Sequence, residues 1–236
     1  MNHLIAHRGA SYQAPENTLA AFKLAIDKGF DFIECDIQFS KDHQPYLFHD
    51  DRLNRTSNGD GLFKDHLAAD IEKLDAGSWK SNQYKNEKVP DLESVARFLK
   101  SHPHCQMNWE FKKDQRYFSN DYLKAIAEMV SRHQLQKRLV FSSFDHELIA
   151  LFYDQYPDFR YAGLVDNNFV LSFYQNANFT VEALHMSHEY FLDIFSQDKQ
   201  AKDFPEIRIY TVNDSALLEQ CKALGAQRFF TDKLEN

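Results

Sequence analysis

A chain of 236 residues with 43% hydrophobic and 26% charged side chains has the size and composition of a globular protein, which excludes a disordered chain. Its net charge of −8 argues against a nucleic-acid partner, because proteins that bind nucleic acids present a basic surface. No apolar run approaches the roughly 20 residues that span a bilayer, so we predict no stable membrane anchor.

The three cysteines indicate a reducing compartment. Cys35, Cys105 and Cys221 are widely spaced and contain no Cys-x-x-Cys pair, which argues against a disulfide scaffold or a zinc knuckle. The first residues run directly into His7 without the charged and apolar regions of a signal peptide. We therefore predict a cytoplasmic protein. Nothing in the sequence indicates an oligomeric state.

Apolar or β-branched runs alternate with segments of helical periodicity, which is the pattern of repeated βα units around a parallel sheet. The predicted strands are residues 4–7, 32–39, 46–49, 107–111, 139–144, 161–165, 183–186, 207–212 and 228–231. The predicted helices are residues 18–28, 91–100, 122–133, 146–156, 168–178, 190–201 and 215–224. If 32–39 and 46–49 share one position, the strands fill eight positions. That count favours a (β/α)8 TIM-type barrel over an open doubly wound sheet.

We predict a single domain over residues 1–236, with two departures from a regular barrel. Residues 51–90 contain a turn cluster and a polar stretch, and we interpret them as a small insertion after the second barrel strand. Its Phe63 and Trp79 form either an apolar wall over a substrate or a small core of the insertion. Only residues 232–236 follow the last strand, so the eighth helix is expected to be abbreviated.

Unusual polar residues lie at or near the carboxyl ends of these strands, where barrels of this kind build their active sites. They are His7, Arg8, Glu34, Asp36, His49, Glu110, Lys112, Ser143, Thr211 and Asn213. Glu34 and Asp36 are two residues apart and share one face of a strand, and Glu110 could join them from a neighbouring strand. Three carboxylates without a cysteine favour Mg²⁺ or Ca²⁺ over zinc. The alternative is a solvated rim.

Two histidines and two cations complete the pattern. A lone histidine after an apolar run is more often structural, but with His7 and His49 one ring can take a proton from water while the other protonates a leaving alkoxide. Arg8 and Lys112 can complement a phosphate, although each is also an ordinary surface charge. An acid/base pair, a site for a hard cation and an anion site together suit cleavage of a phosphate ester.

Three further polar residues each have two possible roles. Asp50, Glu16 and Asn17 can orient the histidines or the metal ligands. They can equally be a turn acid, a loop acid and a helix cap.

With these residues in place, the chain resembles the glycerophosphodiester phosphodiesterase family. The matching motifs are His7-Arg8-Gly9, Pro15-Glu16-Asn17-Thr18, Glu34-x-Asp36, His49-Asp50, Arg55-Thr56, Leu74-Asp75-Ala76-Gly77-Ser78-Trp79, Pro90-x-Leu92, Glu110-x-Lys112, Ser143-Phe144, Thr211-Val212-Asn213 and Thr231-Asp232. They follow one another over nearly the whole chain, and the set is specific although His-Arg-Gly alone is not. Tyr210 departs from the pattern, because the family usually has Trp there.

The resemblance implies a barrel with a small insertion and a metal-dependent hydrolase that releases glycerol 3-phosphate and an alcohol. It implies one divalent cation, Mg²⁺ or Ca²⁺, bound by Glu34, Asp36 and Glu110, a general acid/base pair formed by His7 and His49, and phosphate contacts from Arg8 and Lys112. The partner would be a small glycerophosphodiester. Two alternatives stay open: a lysophospholipid phosphodiesterase, suggested by the many aromatic residues, and a non-catalytic phosphate-binding barrel.

Overall fold

The computed structural model describes residues 3–112, 120–195, 201 and 204–233. Nine strands form its sheet: β1 Leu4–Ala6, β2 Phe32–Phe39, β3 Pro45–Leu47, β4 Gln106–Phe111, β5 Leu139–Ser143, β6 Arg160–Val165, β7 Ala183–Ser187, β8 Glu206–Tyr210 and β9 Arg228–Thr231. The α-helices of these described ranges are α1 Leu19–Asp27, α2 Ala68–Ile71, α3 Leu92–Ser101, α4 Asn120–Arg132, α5 His146–Gln155, α6 Asn168–Asn176, α7 His188–Ile194 and α8 Ser215–Ala223.

Eight parallel strands close into a barrel. The first strand, β1, pairs in parallel with β2 on one side and with β9 on the other, so Ala6 is in register with both Ile33 and Thr231. The remaining strand, β3, runs antiparallel to β2 and lies outside the parallel ring. The prediction of a TIM-type barrel, with two extended pieces at its second position, is therefore confirmed.

The barrel interior is filled by apolar side chains in the middle and by ion pairs at the amino-terminal ends of the strands. The middle contains Ile5, Phe32, Val140, Ala162, Ala183 and Phe230. Below it, the buried Arg208 contacts Glu182 and Glu206 at 2.7 Å each, and Arg160 Nη1 donates to Gln106 Oε1 at 2.7 Å. These layers close the amino-terminal end, so the polar site lies at the carboxyl-terminal end.

Six of the eight α-helices in the described ranges begin where a short polar side chain accepts a hydrogen bond from the backbone of the first turn. The capping residues are Thr18, Asp91, Asp145, Asn167, Ser187 and Asp214. The cap explains one wrong boundary: Ser187 Oγ accepts from the Tyr190 amide, so α7 begins at His188, two residues before the predicted start. The helix ends at Ile194, and part of its predicted continuation lies outside the described residues.

The segment between β3 and α3 contains turns, short helices and a small apolar cluster. The cluster consists of Tyr46, Phe48, Leu53, Phe63, Ile71, Ala76 and Val89. Phe63 therefore belongs to a core of this segment, while Trp79 is 36% exposed. A single domain with an insertion at about residues 51–90 stays a prediction. An abbreviated helix after the last strand stays a prediction, because residues 234–236 lie outside the described residues.

Cys35, Cys105 and Cys221 are buried and free. Among the described residues, none of the helices combines the length and the apolar character needed to cross a membrane. The cytoplasmic location stays a prediction.

Candidate active site

Side chains at the carboxyl-terminal end of the barrel converge on a cavity of about 230 Å³. All seven residues predicted as the site line it: His7, Arg8, Glu34, Asp36, His49, Glu110 and Lys112. The three carboxylates lie on β2 and β4, and the other four residues lie in the segments that follow β1, β3 and β4. Parallel pairing places Asp36 directly beside Glu110 and Ile37 beside Phe111, which brings residues more than 70 positions apart in sequence to one edge.

Three carboxylates in this cavity fit a divalent cation. One oxygen from each of Glu34, Asp36 and Glu110 lies within 4.8 Å of the others. Glu34 Oε1 is buried and has no hydrogen-bond partner among the described residues. Burial, together with the charges of Asp36 and Glu110, raises the pKa of Glu34 well above its usual value. A hard cation would satisfy the unpaired oxygen and relieve the repulsion, and an all-oxygen set suits Mg²⁺ or Ca²⁺.

Two cations lie against the same carboxylates. Lys112 Nζ is 2.7 Å from Asp36 Oδ1 and 2.8 Å from Glu110 Oε1, and Arg8 Nε is 3.2 Å from Asp36 Oδ2. Burial alone would raise the pKa of Asp36, but the charges of Lys112 and Arg8 outweigh it and lower that pKa. Asp36 therefore stays ionised, and both cations face the cavity where an anionic group would enter.

His7 follows β1 and is oriented by the far end of the chain. Its Nδ1 donates to Asp232 Oδ1 at 2.7 Å, while Nε2 lies 3.9 Å from Glu34 Oε2. Asp232 also accepts from Ser11 Oγ at 3.1 Å and from Asn213 Nδ2 at 2.9 Å. An ionised carboxylate only accepts hydrogen bonds, so the neutral ring carries its proton on Nδ1 and leaves Nε2 as the basic atom.

His49 has a matching arrangement. Its Nδ1 donates to Asp50 Oδ1 at 2.7 Å, and Arg55 Nε donates to Asp50 Oδ2 at 2.6 Å. The hydrogen bonds from Arg55 outweigh the effect of burial and lower the pKa of Asp50 to about 2. Gln38 Nε2 donates to the backbone carbonyls of His49 and Asp50, at 3.0 and 2.6 Å, which ties this loop to β2.

Glu16 and Asn17 connect these parts. Glu16 accepts hydrogen bonds from Arg8 Nη1 at 2.8 Å and from Arg55 Nη1 at 2.7 Å. Asn17 Nδ2 donates to Asp36 Oδ2 at 2.8 Å, and the Asp36 amide donates to Asn17 Oδ1 at 3.1 Å. Asn17 is therefore a partner of Asp36, while the cap of α1 is Thr18.

Known proteins are similar to this chain over nearly its whole length. A sequence model described as the glycerophosphoryl diester phosphodiesterase family matches residues 7–236. The chain belongs to this family. A glycerophosphodiester phosphodiesterase of Bacillus subtilis (strain 168) is 32% identical over 252 residues, covering 97% of this chain and 82% of that protein.

Solved structures agree with the glycerophosphoryl diester phosphodiesterase assignment. A phosphodiesterase of Oleispira antarctica, in complex with the product sn-glycerol-3-phosphate, superposes with a TM-score of 0.85 at 30% identity and covers 98% of this chain and 92% of that one. A glycerophosphodiester phosphodiesterase of Agrobacterium tumefaciens gives 0.78 at 25% identity, covering 99% and 97%. The prediction that the chain belongs to this family, and the prediction that it is a phosphodiesterase, are both confirmed.

In this glycerophosphoryl diester phosphodiesterase the cavity is larger than the predicted site. The additional lining residues are Asn108, Phe144, Leu164, His185, Tyr210, Thr211 and Phe230. Strand periodicity could have found Asn108, which lies two residues before Glu110 and so on the same face. Ser143, by contrast, does not line the cavity, because its Oγ is buried and donates to the Phe111 carbonyl at 2.7 Å.

Proposed function

We propose that this protein hydrolyses glycerophosphodiesters to glycerol 3-phosphate and an alcohol, with a divalent cation and two histidines. The observation that carries the proposal is the convergence, in one cavity, of a three-carboxylate cluster with two histidines that are each hydrogen-bonded to an aspartate. Membership of the family and the product-bound relative support it.

The carboxylates and cations would hold the phosphate. We propose Mg²⁺ or Ca²⁺ bound by Glu34, Asp36 and Glu110, where the ion would offset charge that develops on the phosphoryl oxygens. Arg8 and Lys112 would bind the other phosphate oxygens. Burial opposes the charge on both side chains, but the neighbouring carboxylates outweigh it and raise both pKa values, so both stay protonated.

The histidines would move the protons. With Nδ1 hydrogen-bonded to an aspartate, each ring presents Nε2 as its reactive atom. One imidazole would accept a proton from the attacking water, and the other, in its protonated form, would donate to the leaving alkoxide. Asp232 and Asp50 would stabilise whichever ring carries the positive charge.

The experiment is an assay of glycerol 3-phosphate release from a panel of glycerophosphodiesters with different head groups. We expect release with Mg²⁺ or Ca²⁺, loss of release on chelation and recovery when the metal is added back. No release from any member of the panel would contradict the proposal. Calorimetry that then detected substrate binding would favour the non-catalytic barrel, and faster turnover of lysophosphatidylcholine than of glycerophosphocholine would favour the lysophospholipid alternative.

A further inference from the structure

The cavity has a deeper end that the proposed chemistry does not use. Asn108 precedes Glu110 by two residues on β4, so it lies on the same face but nearer the amino-terminal end of the barrel. His185 lies on β7 with its ring edge-on to Phe230, at 4.9 Å between centroids. Asn108 and His185 both line the cavity, and each is 1% exposed.

Each of these side chains has one buried polar atom that no described residue satisfies. The atoms are Asn108 Oδ1 and His185 Nε2. Asn108 Nδ2 donates to Ser142 Oγ at 2.9 Å, so the amide is oriented and Oδ1 is the atom left for a ligand. Because an unpaired buried polar atom is costly, two of them in one cavity indicate a group that pairs with them when bound.

The chemistry of the lining selects the kind of group. Most of the other residues outside the predicted site are apolar or aromatic: Phe144, Leu164, Tyr210 and Phe230. Burial, with a smaller effect from Arg208, lowers the pKa of His185, so its ring is neutral. Asn108 Oδ1 needs a donor, and a neutral imidazole nitrogen needs either a donor or an acceptor. A hydroxyl on a short carbon chain meets these requirements.

We propose that Asn108 and His185 form a hydroxyl-binding subsite for the glycerol part of the substrate and so determine specificity on that side of the phosphate. The proposal rests on the proposed function and deepens it. A glyceryl group in this cavity would offer hydroxyls to Asn108 Oδ1 and His185 Nε2, whereas an alkyl group of the same length would leave both atoms unpaired. Sites that hydrogen-bond a hydroxyl discriminate strongly against analogues that lack it.

The test compares two diesters with the same leaving group, glyceryl 4-nitrophenyl phosphate and propyl 4-nitrophenyl phosphate, on the metal-loaded protein. Because the released nitrophenol is common to both, the ratio of their kcat/KM values reports only the glyceryl side. We expect the wild type to prefer the glyceryl diester by about 10- to 100-fold. His185→Leu and Asn108→Ala should each reduce that ratio by about 10-fold, mainly by slowing the glyceryl diester.

Two further variants separate recognition from folding. His185→Gln keeps a donor and an acceptor and should retain more of the preference than His185→Leu. His188→Leu removes a partly exposed histidine outside the cavity and should leave the ratio unchanged. Competition on the wild type needs no variant: glycerol 3-phosphate should inhibit about 10-fold more strongly than propyl phosphate.

The outcomes distinguish the two proposals. Equal rates on both diesters, equal inhibition by both monoesters, or variants that slow both diesters by the same factor would overturn the subsite and leave water as the partner of the two atoms. A wild type that cleaves neither diester and releases no glycerol 3-phosphate from natural glycerophosphodiesters would overturn the proposed function itself.

Discussion

The two histidines of the cavity have the same type of partner, reached in different ways. Asp50 is the residue next to His49, whereas Asp232 is 225 positions from His7. Both aspartates accept from Nδ1, and both are held by further donors, Arg55 for Asp50 and Ser11 with Asn213 for Asp232. At the residue scale, each aspartate therefore fixes both the ring orientation and the tautomer of its histidine.

Replacing either histidine tests the proton-transfer assignment. We expect His7→Ala and His49→Ala each to lower kcat by at least about 100-fold, because positioned acid/base groups contribute about 10²- to 10⁴-fold. Both side chains are partly exposed, so we expect the fold to persist, as circular dichroism and thermal unfolding would check. A folded variant that turns over at the wild-type rate would contradict the assignment.

Asp232→Asn tests the positioning role of Asp232. The amide can donate as well as accept, so it no longer enforces the Nδ1–H tautomer of His7. We expect kcat to fall by about 10- to 1,000-fold with little change in KM, since the phosphate and metal contacts are untouched. Steady-state kinetics would measure the split, with Asp154→Asn on the exposed side of α5 as the control. A higher KM at unchanged kcat would count against positioning.

The sequence predicted the carboxylates and histidines of the cavity and offered Asp50 and Asn17 as possible partners, but it offered no partner for His7. Glu34, Asp36 and Glu110 could be recognised as candidate site residues, because an unpaired charged side chain inside an apolar strand is costly to bury. In the sequence, Asp232 is recognisable only as part of the Thr231-Asp232 motif, because its contact with His7 exists only when the barrel closes. Asn108 could have been found from its place two residues before Glu110, but His185 carries no such signal, because its significance depends on its burial in the folded barrel.

At the scale of elements, the turn between β1 and α1 connects the site to the scaffold. Arg8 and Asn17 both have φ of +57°, and the Arg8 amide donates to Glu34 Oε2 at 3.0 Å. The Asn17 amide in turn donates to the Arg8 carbonyl at 3.1 Å. Residues held in sparsely populated backbone conformations often mark functional sites, and here they point a backbone donor at a proposed metal ligand.

Gly9 makes this turn possible, so we expect its replacement to destabilise the fold. Its φ is +81°, and a Cβ there would lie 2.8 Å from Ala21 and 2.9 Å from Phe22. We expect Gly9→Ala to lower the unfolding free energy by about 2–4 kcal/mol, combining backbone strain with overpacking. Gly61→Ala is the matched control: its φ is +92°, but the nearest atom lies at 3.4 Å.

Urea unfolding of the two glycine variants would separate strain from packing. Gly61→Ala should show only the backbone effect, about 1 kcal/mol. Equal losses of unfolding free energy in the two variants would mean that the close contact between Gly9 and α1 does not contribute to the effect.

Strand and helix types were predictable along the chain, and most errors are in boundaries. The second extended piece was predicted to reach His49 but ends at Leu47, and the strand predicted to reach Val212 ends at Tyr210. Apolar runs do not show where pairing stops, because Phe48 and Val212 are buried by other contacts. Caps are easier to predict, since Asp, Asn, Ser and Thr satisfy first-turn amides directly.

At the scale of the whole molecule, pairing of β1 with β9 places the two ends of the described chain on one site. The alternation of strands and helices was enough to predict eight positions and closure. It could not predict which inward-facing residues fill the barrel, because that depends on registers between strands far apart in sequence. In the structure the interior is layered, with ion pairs at one end, apolar residues in the middle and the cavity at the other end.

His185 lies within this interior, so its protonation is linked to global unfolding. Burial lowers its pKa in the folded protein well below the ordinary value of 6.5. The unfolded chain then binds a proton below about pH 6.5 that the folded chain does not, so this contribution to stability is present above pH 6.5 and is lost as the pH falls.

We therefore expect the unfolding free energy of the wild type to fall more steeply than that of His185→Gln between pH 6.5 and 5. One group contributes at most about 1.4 kcal/mol per pH unit, so the difference between the two proteins should change by up to about 2 kcal/mol over this range. Urea unfolding at several pH values would measure it, and all other titrating groups cancel in the difference. Parallel curves for the two proteins would contradict the prediction, because they would show that His185 has the same pKa in the folded barrel as in the unfolded chain.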